Sequence, residues 1–196
     1  MVKTDPRRCP WCRDDPLYVS YHDEEWGVPV ADERALFERL VLEGMQAGLS
    51  WLTVLRKRAH MQKVFFNFEP AKLSSAGTPA LERWMNDAGV IRHRGKLEAM
   101  IGNARATLAL DGGLAHLLWS FVDGRPIQNR YKRMADVPSE TSESRAMAGA
   151  LKKAGFRFVG PTTCYALMQS AGMVNDHLVD CAAHKRCSVE AKSWLL

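Results

Sequence analysis

Apolar residues recur at intervals of three and four along almost the whole chain, the spacing of one face of an α-helix. Leu36, Leu40 and Gly44 follow Asp32, a residue type that caps helix N-termini. The same spacing predicts helices over about residues 50–66 and 97–108. No run combines β-branched side chains with the strict alternation of a strand. The sequence therefore predicts an all-α fold, with about 30 residues at the start and 15 at the end irregular.

The composition is that of a globular protein with a large core. Of 196 residues, 46% are hydrophobic, and six Trp and seven Phe supply bulky side chains. This excludes disordered, collagen-like and coiled-coil classes and predicts a single domain over residues 1–196. No window approaches the roughly 18 apolar residues of a membrane span, and the first residues lack the apolar stretch of a signal peptide. We therefore expect a cytoplasmic protein with no membrane partner.

The charge and the cysteine count narrow the functional class. With 27 basic and 22 acidic residues, the formal net charge is +5, which favours a polyanionic partner such as nucleic acid. Five cysteines are an odd number, and a cytoplasmic chain keeps its thiols reduced. Thiol or metal chemistry is therefore expected in place of a disulfide framework.

Seven cysteine and histidine residues lie near the two ends of the chain. They are Cys9, Cys12, His22, His177, Cys181, His184 and Cys187. Zinc binds four such side chains in a tetrahedron, and His177 and Cys181 would share one face of a helix. Two early and two late ligands would tie the ends of the domain together. The spacing does not choose four ligands among the seven, and surface histidines with small buried cysteines are the alternative. A redox CxxC motif would need a βαβ context that is absent.

Glu43 lies three residues after Leu40, on the apolar stripe of its helix. A buried carboxylate requires a cationic or hydrogen-bond-donating partner; the alternative is a helix-end Glu that turns to solvent. Five aromatic residues flank it in sequence: Trp11, Tyr18, Tyr21, Trp26 and Trp51. Aromatic faces with a carboxylate bind a flat cation well, although large aromatics also simply fill cores.

A third feature lies at about residues 145–170, where a helix ends near Gly155 and another begins after Gly160. Glycine lets phosphate oxygens approach backbone N–H groups at a helix N-terminus, and Lys152, Lys153 and Arg157 supply positive charge. The pattern is similar to a helix-hairpin-helix that binds a DNA backbone without reading its sequence. An ordinary helix-turn-helix connection is the alternative.

Together, these features resemble the DNA-3-methyladenine glycosylase I family of the helix-hairpin-helix DNA glycosylase superfamily. The matching stretches, in the family's order, are DPLY (15–18), YHD (21–23), EWGVP (25–29), LEG (42–44), QAGLSW (46–51), IRHRGK (91–96), IGNAR (101–105), GFRFVG (155–160) and VNDH (174–177). The resemblance implies a helix-hairpin-helix bundle with one structural zinc ion per chain that joins segments 9–22 and 177–181. The ligands map to Cys9, His22, His177 and Cys181, with Cys12 as the alternative to Cys9.

The resemblance also assigns a binding site for the damaged base and one for DNA. Glu43 is the catalytic residue implied, and the base pocket maps to Trp11, Tyr18, Tyr21, Glu43 and Trp51. Leu49 is the residue expected to fill the gap left by an extruded nucleotide. The expected DNA contacts are Leu49, Lys152, Lys153, Gly155, Arg157 and Gly160.

The implied activity is excision of 3-methyladenine from double-stranded DNA by a monomeric, nucleoid-associated bacterial enzyme. Methylation gives the base a positive charge that weakens its glycosidic bond, so selective binding is the main task. Related glycosylases place an Asp where this chain has Asn175, and lyases place a Lys where it has Thr162 and Thr163. We therefore expect a monofunctional enzyme that needs a labile substrate. The alternatives are a zinc-stabilised sensor of alkylated DNA that does not cut, and an enzyme for a free cationic nucleobase.

Overall fold

A computed structural model describes residues 8–194, so the outermost residues of the predicted domain, 1–7 and 195–196, lie outside the described part. The α-helices are α1 (Pro16–Glu24), α2 (Glu33–Gln46), α3 (Trp51–Val64), α4 (Pro70–Ser74), α5 (Thr78–Asn86), α6 (Arg94–Leu108), α7 (Gly113–Trp119), α8 (Ser142–Lys153), α9 (Pro161–Ser170) and α10 (Ala182–Lys192). Short 3₁₀ helices cover Pro10–Cys12, Phe66–Phe68, Ser120–Val122 and Met134–Asp136. The expectation of a mostly helical protein is confirmed.

Local capping sets several helix starts. The Asp32 side chain accepts a hydrogen bond from Ala35 N at 2.8 Å, which fixes the start of α2. Ser50 does the same for Thr53 N at 3.2 Å and starts α3. Thr141 and Ser144 form a reciprocal capping box at the start of α8. These helix starts were predictable because each signal lies within four residues of the group that it satisfies.

Helix α2 forms the centre of the fold and packs against α3, α6, α7 and α9. Leu36, Phe37 and Leu40 are almost completely buried on it. A buried carboxylate, Glu38, ties α2 to α3 by accepting hydrogen bonds from Arg58 Nε and Gln62 Nε2, each at 2.8 Å. The two helices that flank the loop at residues 47–50 are therefore locked together.

The expectation of irregular ends is wrong. Near the start of the chain α1 is a regular helix, with Pro16 in its first turn and the Asp15 side chain accepting from Leu17 N at 3.0 Å. Near the end of the chain, α10 is held by Ala183 and Cys187, which are buried. Both helices are short and each buries only two side chains, so apolar spacing gave little signal for them.

One feature departs from an all-α description. Strands β1 (Ile127–Gln128) and β2 (Val174–Asn175) form a parallel pair with Ile127 opposite Val174. The pair connects segments almost fifty residues apart and positions the chain just before His177. Within residues 8–194, no helix is long and apolar enough to cross a membrane.

Candidate active site and metal centre

All five residues predicted to bind a base line one cavity of about 190 Å³. The complete lining is Trp11, Tyr18, Tyr21, Trp26, Glu43, Gln46, Trp51, Met134, Val137, Ala166 and Gln169. Trp11 comes from the 3₁₀ turn before α1, the tyrosines from α1, Glu43 from α2, Trp51 from α3 and Gln169 from α9. The structure therefore brings five separate segments together around one opening of a size that suits a flat ring.

The aromatic rings form the walls of this cavity. Trp11 lies 5.1 Å from Tyr18 and 4.9 Å from Trp26, measured between ring centroids. Tyr21 lies 5.2 Å from Trp51. Trp51 Nε1 is buried without a hydrogen-bond partner among the described residues. The rings therefore offer apolar faces together with an unused donor, which is more than core filling requires.

Glu43 is the acidic group of the cavity. Its side chain is only 5% exposed, so it does not turn out to solvent from the end of α2. Burial raises the pKa of Glu43 to about 8, while a hydrogen bond from Ser170 and the positive charge of Arg39 act in the opposite direction. The site thus holds a carboxylate that gains a charge partner when a cation enters.

The cavity contains residues that the sequence analysis missed. Gln46 and Gln169 are polar, and Met134, Val137 and Ala166 are apolar. Trp26 was recognised as one of the aromatics near Glu43 but was not assigned to the base pocket. Gln169 follows Tyr165 by one helical turn on α9, yet nothing in that spacing points towards Glu43. The missing signal is tertiary, because α9 reaches the cavity only by packing against α2.

A second cluster joins the two ends of the described chain. The ligand atoms of Cys9, His22, His177 and Cys181 all lie within 4.8 Å of one another, and all four residues are buried. Cys9 Sγ lies 3.6 Å from His177 Nδ1, and Cys181 Sγ lies 3.5 Å from His22 Nε2 and 3.7 Å from His177 Nδ1. Tetrahedral zinc with its usual bond lengths places S and N ligands about 3.6 Å apart. The cluster can therefore hold a metal ion.

The groups around this cluster orient the two imidazole rings. His22 Nδ1 lies 2.7 Å from Asp23 Oδ1, and His177 Nε2 lies 2.9 Å from the Trp26 carbonyl oxygen. These bonds leave His22 Nε2 and His177 Nδ1 facing the sulfurs, as in known histidine metal sites. A hydrogen bond with Cys9 lowers the pKa of Cys181, so the pair favours one thiolate. Two thiols and two oriented imidazoles are a donor set that suits zinc.

The three remaining candidates do not join the cluster. Cys12 Sγ lies 3.2 Å from the Cys9 carbonyl oxygen, His184 Nε2 lies 2.9 Å from the Asn129 carbonyl oxygen, and Cys187 is buried beside Gly27. Cys9 therefore lies in the cluster and Cys12 does not, and the choice of Cys9 as a zinc ligand stays a prediction that this geometry favours.

The predicted DNA-binding residues between α8 and α9 lie on one turn. Gly155 has φ +91°, a left-handed conformation that favours glycine, and buried Phe156 and Val159 anchor the turn below. Asn103 clamps it, because Asn103 Oδ1 accepts from Arg157 N at 2.8 Å and Asn103 Nδ2 donates to Arg157 O at 3.0 Å. Lys152, Lys153 and Arg157 are exposed, and a side chain on Gly160 would meet no neighbour. The structure shows two helices and a tight turn; binding of DNA there stays a prediction.

Leu49 lies in the loop between α2 and α3 and is 42% exposed. The loop is held from below by Lys96, whose Nζ donates to the carbonyl oxygens of Met45, at 2.9 Å, and Ala47. Lys96 thus satisfies carbonyl groups at the C-terminal end of α2, a role that the sequence did not reveal. An exposed leucine on a braced loop beside the cavity fits the predicted intercalating residue.

Related glycosylases have an Asp at the position of Asn175, but the corresponding segment of this protein carries no free carboxylate. Asn175 is buried and donates from Nδ2 to Gln128 Oε1 and to the His184 carbonyl oxygen, each at 3.0 Å. The next residue, Asp176, is also buried and accepts hydrogen bonds from protein groups. Neither residue lines the cavity that contains Glu43.

Comparison with known proteins decides the family. The sequence profile of the methyladenine glycosylase family matches residues 11–184. The chain belongs to the methyladenine glycosylase family. It is 48% identical over 180 residues to DNA-3-methyladenine glycosylase 1 of Escherichia coli, covering 90% of this chain and 96% of the relative. The chain is thus a glycosylase, which confirms the family inferred from its motifs.

Solved structures of family members have the same fold. A crystal structure of 3-methyladenine DNA glycosylase I is 49% identical, with a TM-score of 0.89 over 90% of this chain and 99% of that one. The Staphylococcus aureus enzyme, solved to explain its recognition of 3-methyladenine, is 35% identical with a TM-score of 0.88, covering 91% and 96%. The helical architecture found here is thus the architecture of these glycosylases.

Proposed function

We propose that this protein excises 3-methyladenine from double-stranded DNA by hydrolysing the N-glycosidic bond, and that it leaves an abasic site in an unbroken strand. The observation that carries the proposal is the buried Glu43 carboxylate inside an aromatic cavity of about 190 Å³. Relatives that share this fold are named for the same base. An aromatic cage with one carboxylate suits a flat, positively charged purine.

The reaction begins with extrusion of the damaged nucleotide. Leaving the stack costs a few kcal/mol, and a damaged base has the lowest cost. Leu49 occupies the gap, and the base enters the cavity lined by Tyr21 and Trp51. Lys152, Lys153 and Arg157 hold phosphates of the strand at the turn between α8 and α9. These contacts are independent of sequence, as a repair enzyme requires.

Bond cleavage follows from the charge of the substrate. The methylated adenine is already cationic, so it leaves without being protonated. In the empty cavity Glu43 has a pKa of about 8; an arriving cation lowers this value and favours the ionised carboxylate. Contacts with the base persist while the bond breaks, and water attacks the sugar C1′. Asn175 and Asp176 supply no base for that water, which limits the enzyme to labile bases.

Cys9, His22, His177 and Cys181 hold a single structural zinc ion in this proposal. The ion supplies a link between the first and last segments of the domain and takes no part in the reaction. Trp11 and Tyr21 flank two of the ligands in sequence, so the metal site also fixes one wall of the base cavity. Because each chain holds one complete cavity and one complete cluster, we propose a monomer that acts on DNA in the bacterial cytoplasm.

The direct test is incubation with N-methylated DNA, followed by chromatography of the released bases. We expect 3-methyladenine from the wild-type protein and from the control Glu98→Gln, whose carboxylate is exposed on α6. Glu43→Gln should release it at least tenfold more slowly, because the amide lacks the charge and can present a donor. Binding of methylated DNA without release of any base would support the sensor instead, and release from free nucleosides alone would support the free-base enzyme.

A further inference from the structure

Asp176 occupies an unusual position behind the cavity. It is 1% exposed and accepts three side-chain hydrogen bonds: from Asn129 Nδ2 at 2.7 Å, Tyr165 Oη at 2.6 Å and Gln169 Nε2 at 2.8 Å. The donors come from the segment after β1 and from two successive turns of α9. A buried carboxylate with three donors is a rigid hydrogen-bond acceptor.

This contact fixes the orientation of the Gln169 amide. The Asp176 carboxylate can pair only with the NH₂ group of the Gln169 amide. If the amide rotated by 180°, its carbonyl oxygen would face the carboxylate oxygen, and two acceptors would lie next to each other. The oxygen and nitrogen of an amide point to opposite sides of the carbon that bears them. Because Gln169 lines the cavity, its Oε1 is the side-chain atom that is left to face a ligand. The cavity thus contains the Glu43 carboxyl group, which accepts on both oxygens once it is ionised beside a cationic base, and this amide oxygen.

We propose that Gln169 is a specificity-determining residue of the base pocket, and that Asp176 is the positioning residue that keeps its carbonyl oxygen turned towards the base. The inference rests on the proposed function and deepens it. A 6-amino purine carries two N–H bonds on its exocyclic nitrogen, one for each acceptor. A 6-oxo purine presents an oxygen at the same place. The oxygens of Glu43 and Gln169 would then face this third acceptor without a donor between them.

The energetic consequence is asymmetric. A neutral hydrogen bond contributes little net free energy, because water competes for the same groups, but a buried acceptor left unpaired costs its full desolvation free energy. A site that carries two fixed acceptors rejects the oxo base more strongly than it rewards the amino base, which is how polar sites achieve large discrimination. Gln46 also lines the cavity, but the described structure shows no side-chain hydrogen bond that holds its amide, so it can turn to suit either base.

The test compares 3-methyladenine with 3-methylguanine for the wild type, Gln169→Met and Gln46→Met. Binding of each free base is measured by quenching of tryptophan fluorescence, and excision of each base is measured on methylated DNA. Methionine keeps the length of glutamine but removes its hydrogen bonds. We expect Gln169→Met to reduce the preference for the adenine base by about tenfold, and Gln46→Met to leave that preference within twofold of wild type.

Two outcomes would overturn the assignment. One is an unchanged ratio in Gln169→Met, whether neither base or both bases lose binding equally, since an equal loss indicates a role in cavity shape alone. The other is an equal change of the ratio in Gln46→Met. Asp176→Leu tests the positioning role, because leucine has no acceptor for the Gln169 amide. If this variant remains folded by circular dichroism, its preference should fall as in Gln169→Met, and an unchanged preference would contradict the role. If the wild type binds and releases neither base, the proposed function itself fails, and that result is distinguishable from a changed ratio.

Discussion

Replacing Glu43 by Gln should stabilise the free protein at alkaline pH, although it removes the group that recognises the base. Burial in the cavity raises the pKa of Glu43 from 4.5 to about 8 in the folded protein. Between these two pH values, the folded state binds more protons than the unfolded state. The free energy of unfolding therefore falls as the pH rises through this window, by about 1.4 kcal/mol per pH unit from this group alone.

The accumulated loss at pH 9 is large for one side chain. A displacement of about 3.5 pKa units corresponds to about 5 kcal/mol, an upper bound because local relaxation and water entry reduce it. At pH 5, close to the lower end of this window, most of the loss has not yet developed, so wild type and Glu43→Gln should differ there mainly by a constant packing and hydrogen-bond difference. At pH 9 the free energy of unfolding of Glu43→Gln should exceed that of wild type by several kcal/mol more than it does at pH 5.

The assay is urea unfolding of the zinc-loaded proteins at pH 5, 7 and 9, with tryptophan fluorescence as the signal that reports unfolding. Glu98→Gln serves as the control, since it makes the same exchange at an exposed position on α6, away from the cavity. The metal ligands are the same in all three proteins, so pH effects on the metal cancel in the differences. Parallel pH profiles for wild type and Glu43→Gln, or a variant that loses stability as the pH rises, would refute the reasoning.

Other predictions concern the metal, the DNA contacts and the chemistry of cleavage. Cys181→Ala should lose its zinc by metal analysis and melt at a lower temperature, whereas Cys12→Ala should keep one zinc per chain; zinc loss only in the latter would reverse the ligand choice. Arg157→Ala should weaken binding to an abasic duplex and reduce the slope of log affinity against log salt by about 0.9, while Arg186→Ala on α10 should leave that slope unchanged. Borohydride should trap no covalent protein–DNA adduct, since no lysine lines the described cavity. A gel run without heat or alkali should also show no nicking of the DNA. An adduct together with enzyme-dependent nicking would contradict the hydrolytic mechanism.

Local sequence signals predicted most of the helices correctly. Asp32, Ser50 and Thr141 act on backbone groups within three residues, so each helix start could be read without knowing the fold. Glu43 could be placed on an apolar stripe because helical periodicity is also local. The elements that were missed are α1 and α10, each of which buries only two side chains, the five-residue helix α4, and the β1–β2 pair, whose partners lie 47 residues apart.

The composition of the candidate site was also readable, but its assembly was not. The sequence alone indicated an acid among aromatics, a surplus of possible metal ligands and a basic turn with glycines. Only the fold placed Cys9, and not Cys12, in the cluster, because that placement depends on which sulfur reaches His177, 168 residues away. Only the fold brought Gln169 into the cavity and placed Asp176 behind it. Residue types and periodicity determine what each segment can form, whereas contacts between distant segments depend on packing and on the pairing of every buried polar group, which no local pattern encodes.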